Sequence, residues 1–318
     1  MIRATLFNDA ACPWGYSANP ALRVLEWRYG DQIEWRLVLI GLRDEVSEEM
    51  REGFDPAALT RLIVFRNRYG MPFSLQPKAR AAASGRGCRA VVAARLLFPG
   101  SEFRVLRALQ LANFTTTLLL DDDEQIRSAL AEVPGIDADA IVDRLDHAEI
   151  VAAYERDKAE ARTARGTAID AQGKGSTVES GVVRYTAPSI VFEREGQRLV
   201  AGGWQPTLAY DLCIANLDPT IKRTPPPDTP APLLERFPDG LTTPEIAALL
   251  AQGPDPVPDL DAAEQAMVKL VADGIATRGS LRDDPLWQPD RVREPTADHA
   301  AAAAGACDEK AAERCPPT

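Results

Sequence analysis

The stretch Asp9-Ala10-Ala11-Cys12-Pro13-Trp14-Gly15-Tyr16 decides how this chain reads. Before it, Arg3-Ala4-Thr5-Leu6-Phe7 alternates as a strand does, and Asn8-Asp9-Ala10-Ala11 reads as a short loop. After it, Pro13 to Tyr29 carries apolar residues at helical spacing, so Cys12 falls at a helix N-terminus. Unpaired backbone N–H groups and the positive end of the helix dipole favour a thiolate there, the species that attacks disulfides and electrophiles. A free thiol has a pKa of about 8.5 and helix N-termini lower it to roughly 3.5–7.5, so Cys12 is expected to ionise readily. A dithiol site would carry a second cysteine where Gly15 stands. This chain has the attacking sulfur without that neighbour. The opposing reading is a buried structural cysteine that packs as a small hydrophobe.

Far along the chain, Thr186-Ala187-Pro188 precedes the apolar, β-branched run Ser189-Ile190-Val191-Phe192, a place suited to a cis X-Pro bond in a tight turn. Glu195-Gly196-Gln197 then turns into Leu199-Val200-Ala201, and Gly202-Gly203-Trp204-Gln205-Pro206 leads into a helix. A βα unit early and a ββα unit late is the order of a thioredoxin fold.

On Asp9 to Tyr16, Thr186-Ala187-Pro188 and Gly203-Trp204-Gln205-Pro206, the chain resembles the DsbA-family thioredoxin-fold proteins over roughly residues 1–220. Within them it is most similar to the branch holding FrnE-like oxidoreductases, 2-hydroxychromene-2-carboxylate isomerases and kappa-class glutathione transferases. The resemblance implies a thioredoxin-like domain from 1–44 and 180–222, interrupted by a helical insertion over 45–179 that roofs the active site. It places Cys12 as the catalytic sulfur, with Pro13, Trp14, Gly15, Ala187 and Pro188 around the substrate or thiol. Gly15 departs from the pattern, because the dithiol oxidoreductases carry Cys there. Met71-Pro72-Phe73 resembles the apolar loop that approaches the catalytic helix, and is equally readable as a core anchor.

Within the insertion, helical patterns run over Asp55 to Arg68, Cys88 to Phe98 after a Gly85-Arg86-Gly87 break, Glu102 to Leu120, Asp123 to Glu132, Ala138 to Asp146 and Ile150 to Arg165. Cys88 opens one of them and is the candidate resolving thiol, against a reading as a buried small residue. A disulfide needs Cα atoms within about 7 Å, which sequence does not give. Cys213 sits in an apolar helix and reads as core, whereas Cys307 and Cys315 lie near the C-terminus. His147 and His299 have no spacing that pairs either with Cys12, so a Cys–His dyad is unsupported.

With 318 residues the chain suggests two domains, or one with a large insertion. Asp and Glu outnumber Lys and Arg 47 to 36, and the net charge of −11 argues against nucleic acid or an anionic membrane as partner. Five scattered cysteines fit neither a disulfide framework nor a metal site. Neither a membrane-spanning run nor a signal segment is evident, and the expected location is a reducing cytoplasm.

Residues 223–232 are a proline-rich linker. Beyond it, 233–290 read as a small winged-helix-like α+β module, with Thr242 or Thr243 capping a helix to Ala251, a second helix over Leu260 to Asp273, and strands at Gly274 to Arg278 and Pro285 to Gln288. Between Asp228 and Glu294 there are 13 acidic and 6 basic residues, a poor balance for DNA, so packing, self-association or a protein partner is expected instead. Residues 291–318 read as a disordered tail.

The overall expectation is an α/β protein. The leading function is thiol–disulfide exchange by Cys12, with the mixed disulfide released by Cys88 or by a low-molecular-weight thiol. A glutathione-type thiol acting as co-substrate of an isomerase or transferase, with no tightly bound cofactor, is the second. A non-catalytic scaffold with a closed, unreactive Cys12 is the third.

Overall fold

The computed structural model describes residues 1–46, 56–178, 181–253, 257–281 and 284–290. Its centre is a four-stranded sheet in the order β2-β1-β5-β6, formed by β1 (Ile2–Asn8), β2 (Ile33–Leu39), β5 (Ser189–Arg194) and β6 (Gln197–Gly202). β1 runs parallel to β2 in the register Leu6↔Leu37 and antiparallel to β5 in the register Leu6↔Ile190. The parallel pair needs a crossover. α1 (Pro13–Ser17) and α2 (Asn19–Tyr29) supply it. The helix expected from Pro13 to Tyr29 is therefore two helices that meet at Ala18, where Pro20 in the first turn of the second cannot donate the next hydrogen bond. β5 and β6 form the expected hairpin, and its turn is made by Glu195 (φ 51°) and Gly196 (φ 81°), a left-handed pair that matches strand twist.

Beyond exposed Arg3, central β1 is buried on both faces, so Thr5 and Asn8 lie in the interior beside Ala4, Leu6 and Phe7 although the sequence alternates. Ala4 and Leu6 join a large core with the insertion helices, while Phe7 joins a second core with Val38, Val191, Tyr185 and Cys12. The insertion comprises α3 (Pro56–Tyr69), α4 (Gly85–Leu97), α5 (Glu102–Thr115), α6 (Asp123–Leu130), α7 (Ala138–Val142), α8 (Ala148–Ala161) and α9 (Ala168–Ala171). Gly85-Arg86-Gly87 does not break a helix but begins α4. A Cβ on Gly85 would meet the Asp44 carbonyl at 2.9 Å and one on Gly87 would press on Leu120 at 3.2 Å, so these glycines serve close packing. β3 (Ser176–Thr177) and β4 (Val183–Arg184) form a small ribbon that leads back to the sheet, and α10 (Thr207–Leu217) closes the thioredoxin-like unit.

After the proline-rich segment come α11 (Ala231–Arg236), β7 (Leu241–Thr242), α12 (Thr243–Leu250), α13 (Leu260–Ala272), β8 (Ala276–Leu281) and β9 (Asp284–Pro289), with a sheet ordered β7-β9-β8. The elements therefore follow one another as helix–strand–helix–helix–strand–strand. Thr242 caps α12, and its backbone N–H donates to Glu245 Oε2 at 2.8 Å. The module is not a separate bead. Val24 of α2 belongs to the same core as Leu233, Phe237, Ile246 and Trp287. The expected tail at 291–318, with His299, Cys307 and Cys315, lies outside the described residues.

Candidate active site

Cys12 is the N-cap of α1, with extended backbone (φ −83°, ψ 114°), and Pro13 follows in the first turn, where its missing N–H costs nothing. The Cys12 Sγ accepts from the Gly15 N–H at 3.4 Å and donates to the Ala187 carbonyl at 3.2 Å. The Ala187–Pro188 bond is cis. A neighbour in α1 and a residue 175 positions further along the chain than Cys12 thus hold its thiol between them.

The N-terminal position does not yield the low pKa expected of it. Cys12 is only 3 % exposed, and burial pushes its thiol up to about 12. The Gly15 and Trp14 N–H groups and the charge of Arg184 act the other way, while the Asp9 carboxyl opposes ionisation. The desolvation cost wins because Cys12 packs beside Val183, Tyr185 and Ala187. In this resting arrangement the site holds a thiol.

Gly15 lies against the Asn8 side chain. A Cβ there would stand 3.0 Å from Asn8 Cγ and overlap Asn8 Oδ1. Asn8 is itself fixed, its Oδ1 accepting from the Asp9 N–H at 2.8 Å. The volume that a second cysteine would need is therefore occupied.

Cys88 is fully buried in the first turns of α4, and its Sγ lies 3.5 Å from Asp9 Oδ2. Burial and the Asp9 charge drive its pKa well up. Cys88 and Cys12 are both free thiols, and they belong to different core clusters. Cys213 is free and only partly buried, packing at the edge of the core instead of within it.

Sequence reasoning gives Asp9 no role. Its carboxylate is wholly buried and accepts from the Ala11 and Leu42 N–H groups at 2.9 and 2.8 Å, and burial raises its pKa against those bonds. The short Asp-x-Ala spacing, an Asx turn, is the available signal. Arg184 escapes sequence reasoning entirely. It is 7 % exposed, donates to the Tyr185 carbonyl at 2.9 Å, and pairs with no carboxylate among the described residues. Burial lowers its pKa, and the charges of Asp9 and Cys12 favour its cation.

Trp14 is 47 % exposed and meets Phe65 of α3 edge to face at 4.7 Å. Tyr69, one turn on, packs against Trp204 at 4.7 Å. Those contacts lay α3 across the mouth of the site. Tyr16 is buried between Phe73 and Phe114, and its hydroxyl donates to the Pro72 carbonyl at 2.9 Å. The Met71-Pro72-Phe73 loop thus anchors α1 from behind. His147 is the N-cap of α8, and the Cys12 hydrogen bonds among the described residues run to Gly15 and Ala187 instead.

The solved structure of a protein described as a disulfide isomerase from Nitrosomonas europaea superposes with a TM-score of 0.52 at 15% identity, covering 68% of this chain and 96% of that one. Cytosolic disulfide reductase DsbM from Pseudomonas aeruginosa matches with a TM-score of 0.44 at 18% identity, over 63% and 88% of the two chains. A 2-hydroxychromene-2-carboxylate isomerase matches with a TM-score of 0.42 at 15% identity, over 68% and 95%. A search of curated proteins finds no match. The DSBA-like thioredoxin domain matches residues 4–167, just over half of the sequence, including Cys12 and the insertion helices as far as α8. The chain belongs to the DSBA-like thioredoxin domain family.

Proposed function

We propose that the protein is a thiol–disulfide oxidoreductase that works with one active-site sulfur, Cys12, and an external thiol. The observation that carries this reading is the Asn8 side chain filling the space beside Gly15, while Cys12 Sγ faces the Ala187 carbonyl.

The Cys12 thiol first gives up its proton. The thiolate keeps the Gly15 N–H bond but loses its bond to the Ala187 oxygen, which then repels it. Ionisation and release from the closed arrangement are therefore one event. The thiolate attacks one sulfur of a disulfide, the S–S bond breaks, and the departing thiolate takes a proton. A low-molecular-weight thiol then attacks the mixed disulfide, forming a new disulfide and returning Cys12 as a thiol. Arg184 suits an anionic thiol such as glutathione, because it is a buried cation beside Cys12 without a carboxylate partner among the described residues. Resolution from outside is favoured over Cys88, which sits in a separate core against Asp9. Free Cys12, Cys88 and Cys213 suit a reducing cytoplasm.

A second reading, a glutathione-type co-substrate held by the α1 N–H groups for isomerisation or transfer, is favoured by the same Arg184 cation. The burial of Cys12 also suits a non-catalytic scaffold. Mass spectrometry separates these. Glutathione disulfide is expected to add one glutathionyl group to Cys12, absent from Cys12→Ser, and reduced glutathione is expected to remove it at the same rate from wild type and Cys88→Ala. Slower removal from Cys88→Ala would assign resolution to Cys88. No adduct would sink the redox reading, and binding of reduced glutathione to Cys12→Ser would then select the second over the scaffold.

A further inference from the structure

A cavity of about 330 Å³ opens where α2, β2, α5 and α11 meet, at the junction of the thioredoxin-like unit with the C-terminal module. That volume lies at the lower end of small-molecule sites, which favour domain junctions. Cys12, Ala187 and Pro188 are not among its walls.

The floor is apolar. Leu22, Trp35 and Phe103 are only partly buried, and Trp35 and Phe103 stand edge to face at 6.5 Å. Such an arrangement offers a flat apolar body two aromatic walls.

The rim carries positive charge in a protein whose net charge is −11. Arg236, Glu26, Arg23, Glu245 and Arg107 form one alternating chain, with contacts of 3.2, 2.7, 3.8 and 2.6 Å in that order. Three guanidinium groups share two carboxylates, so one positive charge is left over. Arg104 stands beside them with its nearest carboxylate, Asp239 Oδ1, 3.8 Å away and beyond hydrogen-bond reach. Asp31 is the acidic residue on the opposite rim, exposed to solvent. Burial and the neighbouring Arg107 both act against the charge on Arg23. An anion entering here relieves that repulsion.

We infer that this cavity is a second binding site, separate from Cys12, for a small aromatic carboxylate, its ring on Trp35 and Phe103 and its carboxylate toward Arg23, Arg104 and Arg236. Each element of the site comes from a different part of the fold, so an occupant would tie α2, the direct continuation of the catalytic helix, to α5 and α11.

Titration of the intact protein with naphthoate, followed by calorimetry and tryptophan fluorescence, tests this. Naphthoate is expected to bind one to one, with uncharged naphthalenemethanol weaker by at least about tenfold, the weight of one charge-assisted hydrogen bond. The Arg104→Ala/Arg236→Ala variant, which spares the buried Arg107–Glu245 pair, should lose about tenfold in affinity. Trp35→Phe should keep the heat signal and lose most of the fluorescence change, and Cys12→Ser should bind as wild type does. The inference is overturned by the absence of saturable binding, by equal affinity for the charged and uncharged ligands, by unchanged affinity in the double arginine variant, or by loss of binding in Cys12→Ser.

Discussion

Position 15 is closed to any side chain by its own neighbour, since even a Cβ overlaps Asn8 Oδ1. Overpacking of this kind costs about 1–3 kcal/mol, so Gly15→Cys should lower stability by that order in denaturant unfolding. The penalty should shrink when Asn8→Ala is introduced first, and only the double variant should readily form a disulfide between Cys12 and the introduced thiol. Equal penalties in the two backgrounds would mean that Asn8 is not the obstacle. The Cys12 thiol makes a second, pH-dependent prediction. Its folded pKa of about 12 exceeds the ordinary 9.0, so the folded state retains a proton that the unfolded chain releases. The stability it contributes is full below pH 9 and is lost as pH rises toward 12, at about 1.4 kcal/mol per pH unit. Wild type should therefore lose stability faster than Cys12→Ser across that window, and iodoacetamide should label folded Cys12 slowly at pH 7. Parallel curves for the two proteins would contradict the burial argument. The helix-capping cysteine and the proline before a strand were legible because both signals are local. The direction of the pKa shift was not, because Val183, Tyr185 and Ala187, which dry the sulfur, come from the far end of the chain.

Among the elements around the site, α3 is the most weakly held. None of its described side chains is buried, Val64 is 60 % exposed, and its grip depends on Leu62, Phe65 and Tyr69 against the rings below. Local opening is expected where few apolar contacts would be lost. Phe65→Ala removes the edge contact with Trp14 and should speed alkylation of Cys12 severalfold while shifting global unfolding by less than about 1.5 kcal/mol, the value of such an aromatic pair. Amide exchange in α3 should be faster than in α2 or α4. An unchanged alkylation rate would show that something other than α3 shields the sulfur. The periodicity of α3 was readable in sequence, but its looseness was not, because exposure depends on what a helix packs against. Similarly, Gly85 and Gly87 read as a break from their conformational freedom alone, whereas Asp44 and Leu120 show that they are there to let chains approach.

The proline-rich segment suggests independence for the C-terminal module, and the packing across it argues for the opposite. Thr242 Oγ1 reaches Met71 Sδ at 3.7 Å, Leu281 packs on the Tyr16–Phe73–Phe114 cluster, and Arg107 of α5 grips Glu245 of α12 with bonds of 2.9 and 2.6 Å. These contacts join residues 138 or more positions apart, so no local pattern announces them. Glu245 tests whether they bind the molecule into one cooperative unit. Burial alone would raise its pKa, but Arg107 and Arg23 outweigh that and hold the carboxyl below its ordinary 4.5. Its contribution is therefore present above pH 4.5 and is lost as pH falls through the lower folded value. Glu245→Gln strands the buried Arg107 and should cost about 3–5 kcal/mol at neutral pH, with Tm lower by on the order of 10 °C. The gap from wild type should narrow on acidification, because only wild type has that carboxylate to lose. Calorimetry should show one transition for both proteins, shifted as a whole in the variant. If a separate low-temperature transition appears in Glu245→Gln while the main one stays in place, the module unfolds on its own and the shared core does not bind it to the thioredoxin-like unit.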